Sequence, residues 1–401
     1  MRLLWLKYGE ILPVDTGGKL RSFHLLRQLS RQAELTFLSY VDSDVSPDYA
    51  RQLQEEIPGS RVEVAPDMPR WRRPALRPVV RSIHTGAPLN VTRFTSSRIR
   101  RVMAQSLASG RYDVLLCDFL TPTLCVPNEV NIPTVLFEHN VESLLWARRT
   151  ATMPSGPRRW LYQWETNATR RWEQAMLERY DMTLAVSDAD RDALQQLAPG
   201  ARVEVVETGV DAAALAPIDD ARVRRSNLVL FVGSMDWQPN EDGVLWFLDA
   251  VWPQVRAAVP DAVFRMVGRR PTPAVLSRRA AGIEVTADVE SVVPHLHEAT
   301  LSVVPLRAGG GTRLKIYESM AGGLPVVSTT IGAEGLAITP DRDIVIADSA
   351  EALAGEIIDL LRSPERCASL SMEGLTTAQS ADWAQIVKRL VEVLGSLRPR
   401  G

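Results

Sequence analysis

Three consecutive glycines, Gly309, Gly310 and Gly311, lead into Thr312, Arg313, Lys315 and Glu318. A glycine loop feeding a helix start lets backbone N–H groups approach an anion without side-chain interference, and the helix dipole favours negative charge there. Arg313 and Lys315 add two cations in the first turn, where they oppose that dipole unless an anion offsets them. Glu318 lies one turn beyond Lys315 on the same face, placed to accept hydrogen bonds from a vicinal diol such as ribose. Phosphates at the loop with a sugar further along the helix describe a nucleotide. The residues alone leave a second reading open, an ordinary strand–helix loop with Lys315 and Glu318 as a solvated i, i+3 pair.

The elements that must position this cluster can be read on both sides of it. An apolar run at 301–306 predicts a buried strand, and Leu314, Tyr317 and Ala321 give the following helix a core face. Gly322 and Gly323 stop that helix, and Pro325 opens another apolar strand, so the stretch is one βαβ unit. The alternation extends through the chain. In the first half, strands are predicted at 2–7, 34–40, 61–65, 112–118, 132–138, 182–187 and 203–206. In the second they fall at 228–233, 262–268, 283–285, 301–306, from 325 and at 343–347. Gly17 and Gly18 follow the first strand and precede a helix with Phe23, Leu26 and Leu29 on one face. His139 stands at the end of the 132–138 strand, and open parallel sheets bind ligands beyond the carboxyl ends of their strands. A lone histidine is more often structural than catalytic, so on the residues alone both roles remain.

The run Glu318-Ser-Met-Ala-Gly-Gly-Leu-Pro-Val-Val327 resembles the Glu–Ala–Met–Ala–x–Gly–x–Pro–Val–Val signature of the retaining family-4 glycosyltransferases, also called group 1 glycosyl transferases. Members usually carry two glutamates with seven residues between them. Glu318 matches the second, and Gly310 stands where the first would be, which points to the branch with a GGGTRLK-type loop. The resemblance implies an α/β chain of the GT-B fold: two facing Rossmann-like domains with parallel sheets and a cleft between them. It implies transfer of a hexosyl residue from a nucleotide-diphosphate sugar to a hydroxyl of a glycan or lipid-linked acceptor, with retention. In that chemistry the leaving diphosphate takes the acceptor proton, and no protein nucleophile, metal or other cofactor is expected.

Carried over residue by residue, the donor would be bound by Gly17, Gly18, Gly233, Gly310, Gly311, Thr312, Arg313, Lys315 and Glu318. His139, in a His–Asn motif, would face the transferred sugar and join Glu318 as catalytic. Many members place an Arg and a Lys in the loop after Gly233; this chain has neither before Val251, and Arg313 and Lys315 are expected to supply that charge. The element at 207–211 resembles the Asn–Gly–Val–Asp end of the family's first domain, with Thr208 for Asn. The expected division is therefore 1–210 as the acceptor-side domain, 211–226 as linker and 227–380 as the nucleotide-sugar domain. A closing helix at 381–401 is expected to pack back on the first domain.

Composition narrows the remaining classes. A length of 401 residues suits two domains, and a net charge of −2 makes no case for nucleic acid. Cys117, Cys125 and Cys367 lack metal-ligand spacing and read as buried free thiols of a reducing compartment. No apolar run reaches 18 residues, the first residues read as a strand rather than a signal peptide, and a cytoplasmic protein is expected. The segment 68–101 holds nine arginines and no acidic residue, and 146–172 interleaves arginines with Trp146, Trp160, Trp164 and Trp172. The first reads either as a solvated face or as a basic surface that meets anionic lipid or a diphosphate-linked acceptor, and the second either as core tryptophans with an arginine rim or as a membrane interface, here the inner face of the plasma membrane. No Walker loop, dinucleotide fingerprint, nucleophile elbow or zinc-protease motif is present. Two other functions share the same architecture: a nucleotide-sugar 2-epimerase, and a non-catalytic nucleotide-sugar-binding protein.

Overall fold

In the computed structural model, which describes residues 1–14, 16–68, 76–151, 153–217, 226–308 and 313–397, the apolar runs bounded by polar turns become parallel strands. Two compact units result: Met1–Glu207 with the residues from Ile386 onward, and Thr208–Gln385. The first unit is built on β1 (Arg2–Tyr8), β2 (Glu34–Asp42), β3 (Arg61–Met68), β4 (Val114–Asp118), β5 (Thr134–Phe137), β6 (Met182–Ala185) and β7 (Val203–Val205). Their order is β3-β2-β1-β4-β5-β6-β7. Leu3, Leu4, Trp5 and Leu6 of β1 are all buried, as expected of a strand covered on both faces by helices. Strand order reverses between β1 and β4, so the loops leaving their carboxyl ends diverge and open a crevice. Register places Lys7 directly opposite Asp118 at that point.

The second unit repeats the plan with β8 (Leu228–Val232), β9 (Val263–Gly268), β10 (Ile283–Ala287), β11 (Leu301–Val304), β12 (Val326–Ser328) and β13 (Val345–Ile346), ordered β10-β9-β8-β11-β12-β13. Its switch point lies between β8 and β11. Alternation along β8 sorts its side chains between two cores. Val229 and Phe231 pack with Val244, Phe247, Trp252 and Phe264. Leu228 and Leu230 pack with Ile316, Tyr317, Met320 and Leu324. That second core seats the Leu314–Ala321 helix, and the first seats Gln238–Trp246. Both helices start at the carboxyl end of the sheet, on either side of the switch point.

Three expectations need correction. The stretch 211–226 is not all linker. Ala212–Leu215 is a short helix, Asp211 caps it at 3.1 Å from the Ala214 N–H, and Ala212 and Leu215 are buried in the second unit's core. Its Ala- and Pro-rich composition hid apolar side chains that have a core to enter; residues 218–225 lie outside those described. Of the three thiols, Cys117 and Cys125 are buried but Cys367 is only partly so. The tryptophans of 146–172 also divide. Trp172 packs inward and donates its indole N–H to Thr123 Oγ1 at 3.0 Å, whereas Trp160 is 72% exposed. The last helix spans Trp383–Gly395, and from Ile386 it belongs to the first unit, where Arg389 donates to Glu207 at 3.0 Å.

Close approach of two loops at the second switch point gives a stability prediction. A Cβ on Gly268, at the end of β9, would lie 1.8 Å from the Gly233 carbonyl oxygen. Gly268→Ala is expected to lower unfolding free energy by about 1–3 kcal/mol, the usual cost of overpacking. Gly355→Ala, in a helix with open space around the added methyl, is the control and is expected to be neutral or stabilising. Urea unfolding of the two variants checks the difference.

Candidate active site

Gly233 leaves β8 where a side chain has no room. A Cβ there would sit 2.7 Å from Lys315 Nζ and 2.9 Å from Asn240 Nδ2. Lys315 Nζ donates to Asn240 Oδ1 at 2.7 Å and lies 4.6 Å from the centre of the Phe231 ring. Asn240 in turn donates to the Ser234 carbonyl at 2.7 Å. One ammonium thus ties together the loop after β8, the first turn of Gln238–Trp246 and the first turn of Leu314–Ala321. Burial pushes the Lys315 ammonium down to about 7, with Glu318 opposing the fall and Arg313 adding to it. Burial likewise raises the Glu318 carboxyl against the pull of Lys315. Arg313 is the residue preceding the helix; it is buried, and its guanidinium stands 5.6 Å from the Trp237 ring.

Of the expected donor residues, Gly233, Arg313, Lys315 and Glu318 therefore come together at this one switch point. Gly310, Gly311 and Thr312 lie outside the described residues. Sequence reasoning looked for a basic residue in the 234–240 loop and passed over Asn240 and Trp237, which touch the two cations instead. The available signal was a polar amide in the first turn of an otherwise apolar-faced helix, a position from which side chains bond back to nearby loops.

On the first unit, the cluster forms around Asp118. Its Oδ2 accepts from Lys7 Nζ at 2.9 Å, Ser22 Oγ at 2.7 Å and Trp5 Nε1 at 3.0 Å, and its Oδ1 meets His139 Nε2 at 2.7 Å. Burial alone would raise this carboxyl, but Lys7, His139 and Ser22 outweigh it and hold it well below the usual carboxylate range. The other ring nitrogen of His139, Nδ1, lies 3.1 Å from Arg21 Nη1. Arginine only donates, so Nδ1 accepts, and the ring proton sits on Nε2 facing Asp118. Burial pushes the imidazole down to about 3 despite Asp118, and it is stacked 3.9 Å from the Phe119 ring.

This geometry changes the expectation for His139. It is 3% exposed with both nitrogens engaged, so the imidazole is not placed to touch a sugar. It holds Arg21 instead, in the first turns of the Gly17–Leu29 helix that Gly17 and Gly18 begin. Gly18 packs against the same group; a Cβ on it would be 3.0 Å from the Phe119 ring and 3.9 Å from His139 Nδ1. Arg21, Lys7 and Asp118 were missed. A charged residue at the end of an apolar strand, as at Lys7 and Asp118, was the signal. Glu138 is buried with neither oxygen hydrogen-bonded among the described residues. Burial first, then Glu173, push its carboxyl well above its ordinary range.

A glycine at a strand end, two cations and a helix start gather at the carboxyl end of the second unit's sheet. Residues 23–214 match the family profile described as Glycosyltransferase Family 4, and residues 226–363 match Glycosyl transferases group 1. The chain belongs to the family-4, group 1 glycosyltransferases. Its fold is that of the GT-B enzymes. A GDP-mannose-dependent alpha-(1-6)-phosphatidylinositol monomannoside mannosyltransferase of Mycolicibacterium smegmatis is 26% identical over 225 residues, covering 50% of this glycosyltransferase and 58% of the relative. The aligned part thus spans little more than half of that relative's length. Among solved structures, Anabaena HepE in complex with UDP superposes with a TM-score of 0.64 at 15% identity, covering 99% of this chain and 100% of that one. A glycosyltransferase from Rickettsia africae ESF-5 gives a TM-score of 0.68 at 13% identity, over 98% and 97%.

The Arg21–His139–Asp118 arrangement is open to direct measurement. Nitrogen-15 shifts of His139 are expected to report a neutral ring protonated at Nε2, unchanged between about pH 5 and 8, where an ordinary histidine titrates. Arg21→Met should keep the proton on Nε2, which still faces the Asp118 carboxylate, and should raise the imidazole by removing a nearby positive charge. A His139 signal that titrates near its ordinary value in the unaltered protein would contradict the geometry.

Proposed function

We propose that this glycosyltransferase moves a hexosyl residue from a nucleotide-diphosphate sugar to a hydroxyl acceptor with retention of anomeric configuration. The observation that carries the reading is the Lys315 ammonium at Gly233, solvated by one neutral amide oxygen rather than a carboxylate contact. An ammonium so placed is suited to a diphosphate, and Arg313 adds a second charge beside it. The leaving diphosphate, stabilised there, takes the acceptor proton while the sugar passes through an oxocarbenium-like state. Lys315 and Arg313 compensate the developing charge, and we propose that no metal takes part. Glu318 anchors the donor sugar or ribose. On the first unit, the Gly17-Gly18 helix start with Arg21, positioned by His139, offers a further site for negative charge.

For the acceptor, we propose a lipid-linked or glycan hydroxyl of cell-surface glycolipid or polysaccharide synthesis at the cytoplasmic face of the membrane. The mannosyltransferase relative is named for a phosphatidylinositol mannoside, and HepE is described bound to UDP, so the sugar and base are both open to assay. No described helix is long and apolar enough to cross a membrane. The first unit nevertheless exposes Val80, Ile83, Trp160 and Leu161, within the two arginine-rich segments 68–101 and 146–172, and this supports peripheral contact with an anionic surface.

Titration of donor binding tests the diphosphate reading. With the Lys315 ammonium pushed down to about 7, a bound diphosphate must raise it again. Affinity is therefore fully present below pH 7, and above it falls as binding has to take up a proton, by up to about tenfold per pH unit. A nucleotide sugar is the ligand to use, because its diphosphate does not ionise in that range. Lys315→Arg should flatten the profile, and Lys315→Ala should weaken binding by about 1.5–3 kcal/mol, roughly 10- to 100-fold. Full donor affinity in Lys315→Ala would remove the reading. The anomeric configuration of the product, read by proton NMR, decides retention.

A further inference from the structure

The helix Gln238–Trp246 and the residue before it meet three cations, each with different chemistry. Arg307, in the chain leaving β11, lays its Nε and Nη2 edge on the Asp242 carboxylate at 3.1 and 2.7 Å, and its guanidinium stands 5.5 Å from the Trp246 ring. Lys315 donates to the amide oxygen of Asn240 at 2.7 Å. Arg313 stands over the indole of Trp237, the residue that precedes the helix. Arg307 comes before residues 309–312 in the chain, and Arg313 and Lys315 come after them. One helix therefore holds both flanks of the glycine run. Its backbone takes part as well. A Cβ on Gly243 would lie 2.6 Å from the Pro305 carbonyl oxygen, so the helix rests directly against the chain leaving β11.

We propose that Asp242 and Asn240 are positioning residues that sort these cations: Asp242 makes Arg307 an anchor for the chain leaving β11, and Asn240 leaves the charge of Lys315 to the donor diphosphate. The inference deepens the proposed function and rests on its donor reading. Asp and Asn have the same shape and differ in charge, so the assignment lies in which of the two stands at each place. Asp242 takes the edge of Arg307 that would grip a phosphate in bidentate fashion, and Trp246 adds a ring contact, so this guanidinium is engaged in structure. The two side chains are 47% and 42% exposed, so the pair adds little to overall stability; what it fixes is the position of one loop end. Asn240 is 3% exposed and both ends of its amide are used. Its nitrogen donates to the Ser234 carbonyl at 2.7 Å, and that bond turns its oxygen towards Lys315. The charged groups acting on Lys315 are Glu318 and Arg313, one of each sign, and the Phe231 ring lies 4.6 Å away. A carboxylate in place of the Asn240 amide would neutralise the ammonium at contact distance. The neutrality of Asn240 thus decides whether that ammonium can serve an incoming anion.

Variants of the full chain test this, with UDP-glucose and GDP-mannose as probes and the Lys315 side chain followed by carbon-13 NMR; thermal midpoints show that each variant folds. In the unaltered chain without ligand, Lys315 is expected to titrate at about 7. Asn240→Asp should raise that titration and weaken nucleotide-sugar binding about tenfold, the lower end of the loss for one charge-assisted hydrogen bond. Its remaining affinity should stay level above neutral pH, because the new carboxylate keeps the ammonium charged. Asn240→Ala gives up the same bond to Ser234 without adding charge, and should not raise the titration. A rise in both variants would overturn the role of Asn240, since loosening alone would then move Lys315. Asp242→Asn should leave the Lys315 titration in place and weaken binding about threefold, the scale of one exposed ion pair. Exchanging the partners in Asp242→Arg/Arg307→Asp should restore it. Binding that is unchanged in Asp242→Asn would overturn the anchor, and so would tighter binding, which would make the released Arg307 a donor ligand itself. An unaltered chain that binds neither probe overturns the donor reading and the inference with it. Binding that depends on Lys315 yet ignores Asn240→Asp overturns the inference alone.

Discussion

A positive charge held at the carboxyl end of a parallel sheet constrains everything around it, and both units have one: Lys7 is buried and Lys315 half-buried. An ammonium taken out of water is costly unless something nearby compensates it. In the first unit the compensation is internal. Lys7 lies in register with Asp118, and the carboxylate also gathers Trp5, Ser22 and His139, so the group is saturated and works as a structural clamp. In the second unit Lys315 touches the neutral oxygen of Asn240, and its charge partner Glu318 is a helical turn away. The first charge is met by a carboxylate, and the second by a neutral oxygen.

That contrast separates the two units although their sheets share a plan. Each sheet reverses its strand order once, and each places a glycine-started loop or helix at the reversal. At the first reversal, Phe119 and His139 stack on each other and leave no room for a side chain at Gly18. At the second, Gly233 keeps backbone thin beside Lys315. Arg21 joins the first cluster through His139, whose neutral ring lies between its guanidinium and the Asp118 carboxylate.

The architecture was legible because parallel strands covered on both faces must be apolar throughout. Runs such as 2–7 and 228–233 announced β1 and β8 to within a residue. Gly233, Lys315 and Glu318 were legible because glycine, cation and carboxylate at helix-start spacing have few other uses. What could not be read is tertiary register. Nothing in the sequence pairs Lys7 with Asp118, 111 residues on, or brings Arg21 to His139, 118 residues on, so a histidine at a strand end looked exposed when it is buried. The linker at 211–226 failed for the opposite reason. Alanines and prolines look like a tether until a core is available to take Ala212 and Leu215.

Identity of 13–15% to solved glycosyltransferases with TM-scores of 0.64 and 0.68 means that the scaffold persists while most side chains change. Gly310 stands where the family motif usually has its first glutamate, and the electrostatic consequence is definite. Arg313 and Lys315 with Glu318 alone sum to one net positive charge over six residues, whereas a second carboxylate three residues before Arg313 would cancel it. A diphosphate carries two negative charges, so the net positive segment attracts it more strongly than a neutral one. In the proposed reaction the stabilisation of the leaving group would therefore fall to the cations.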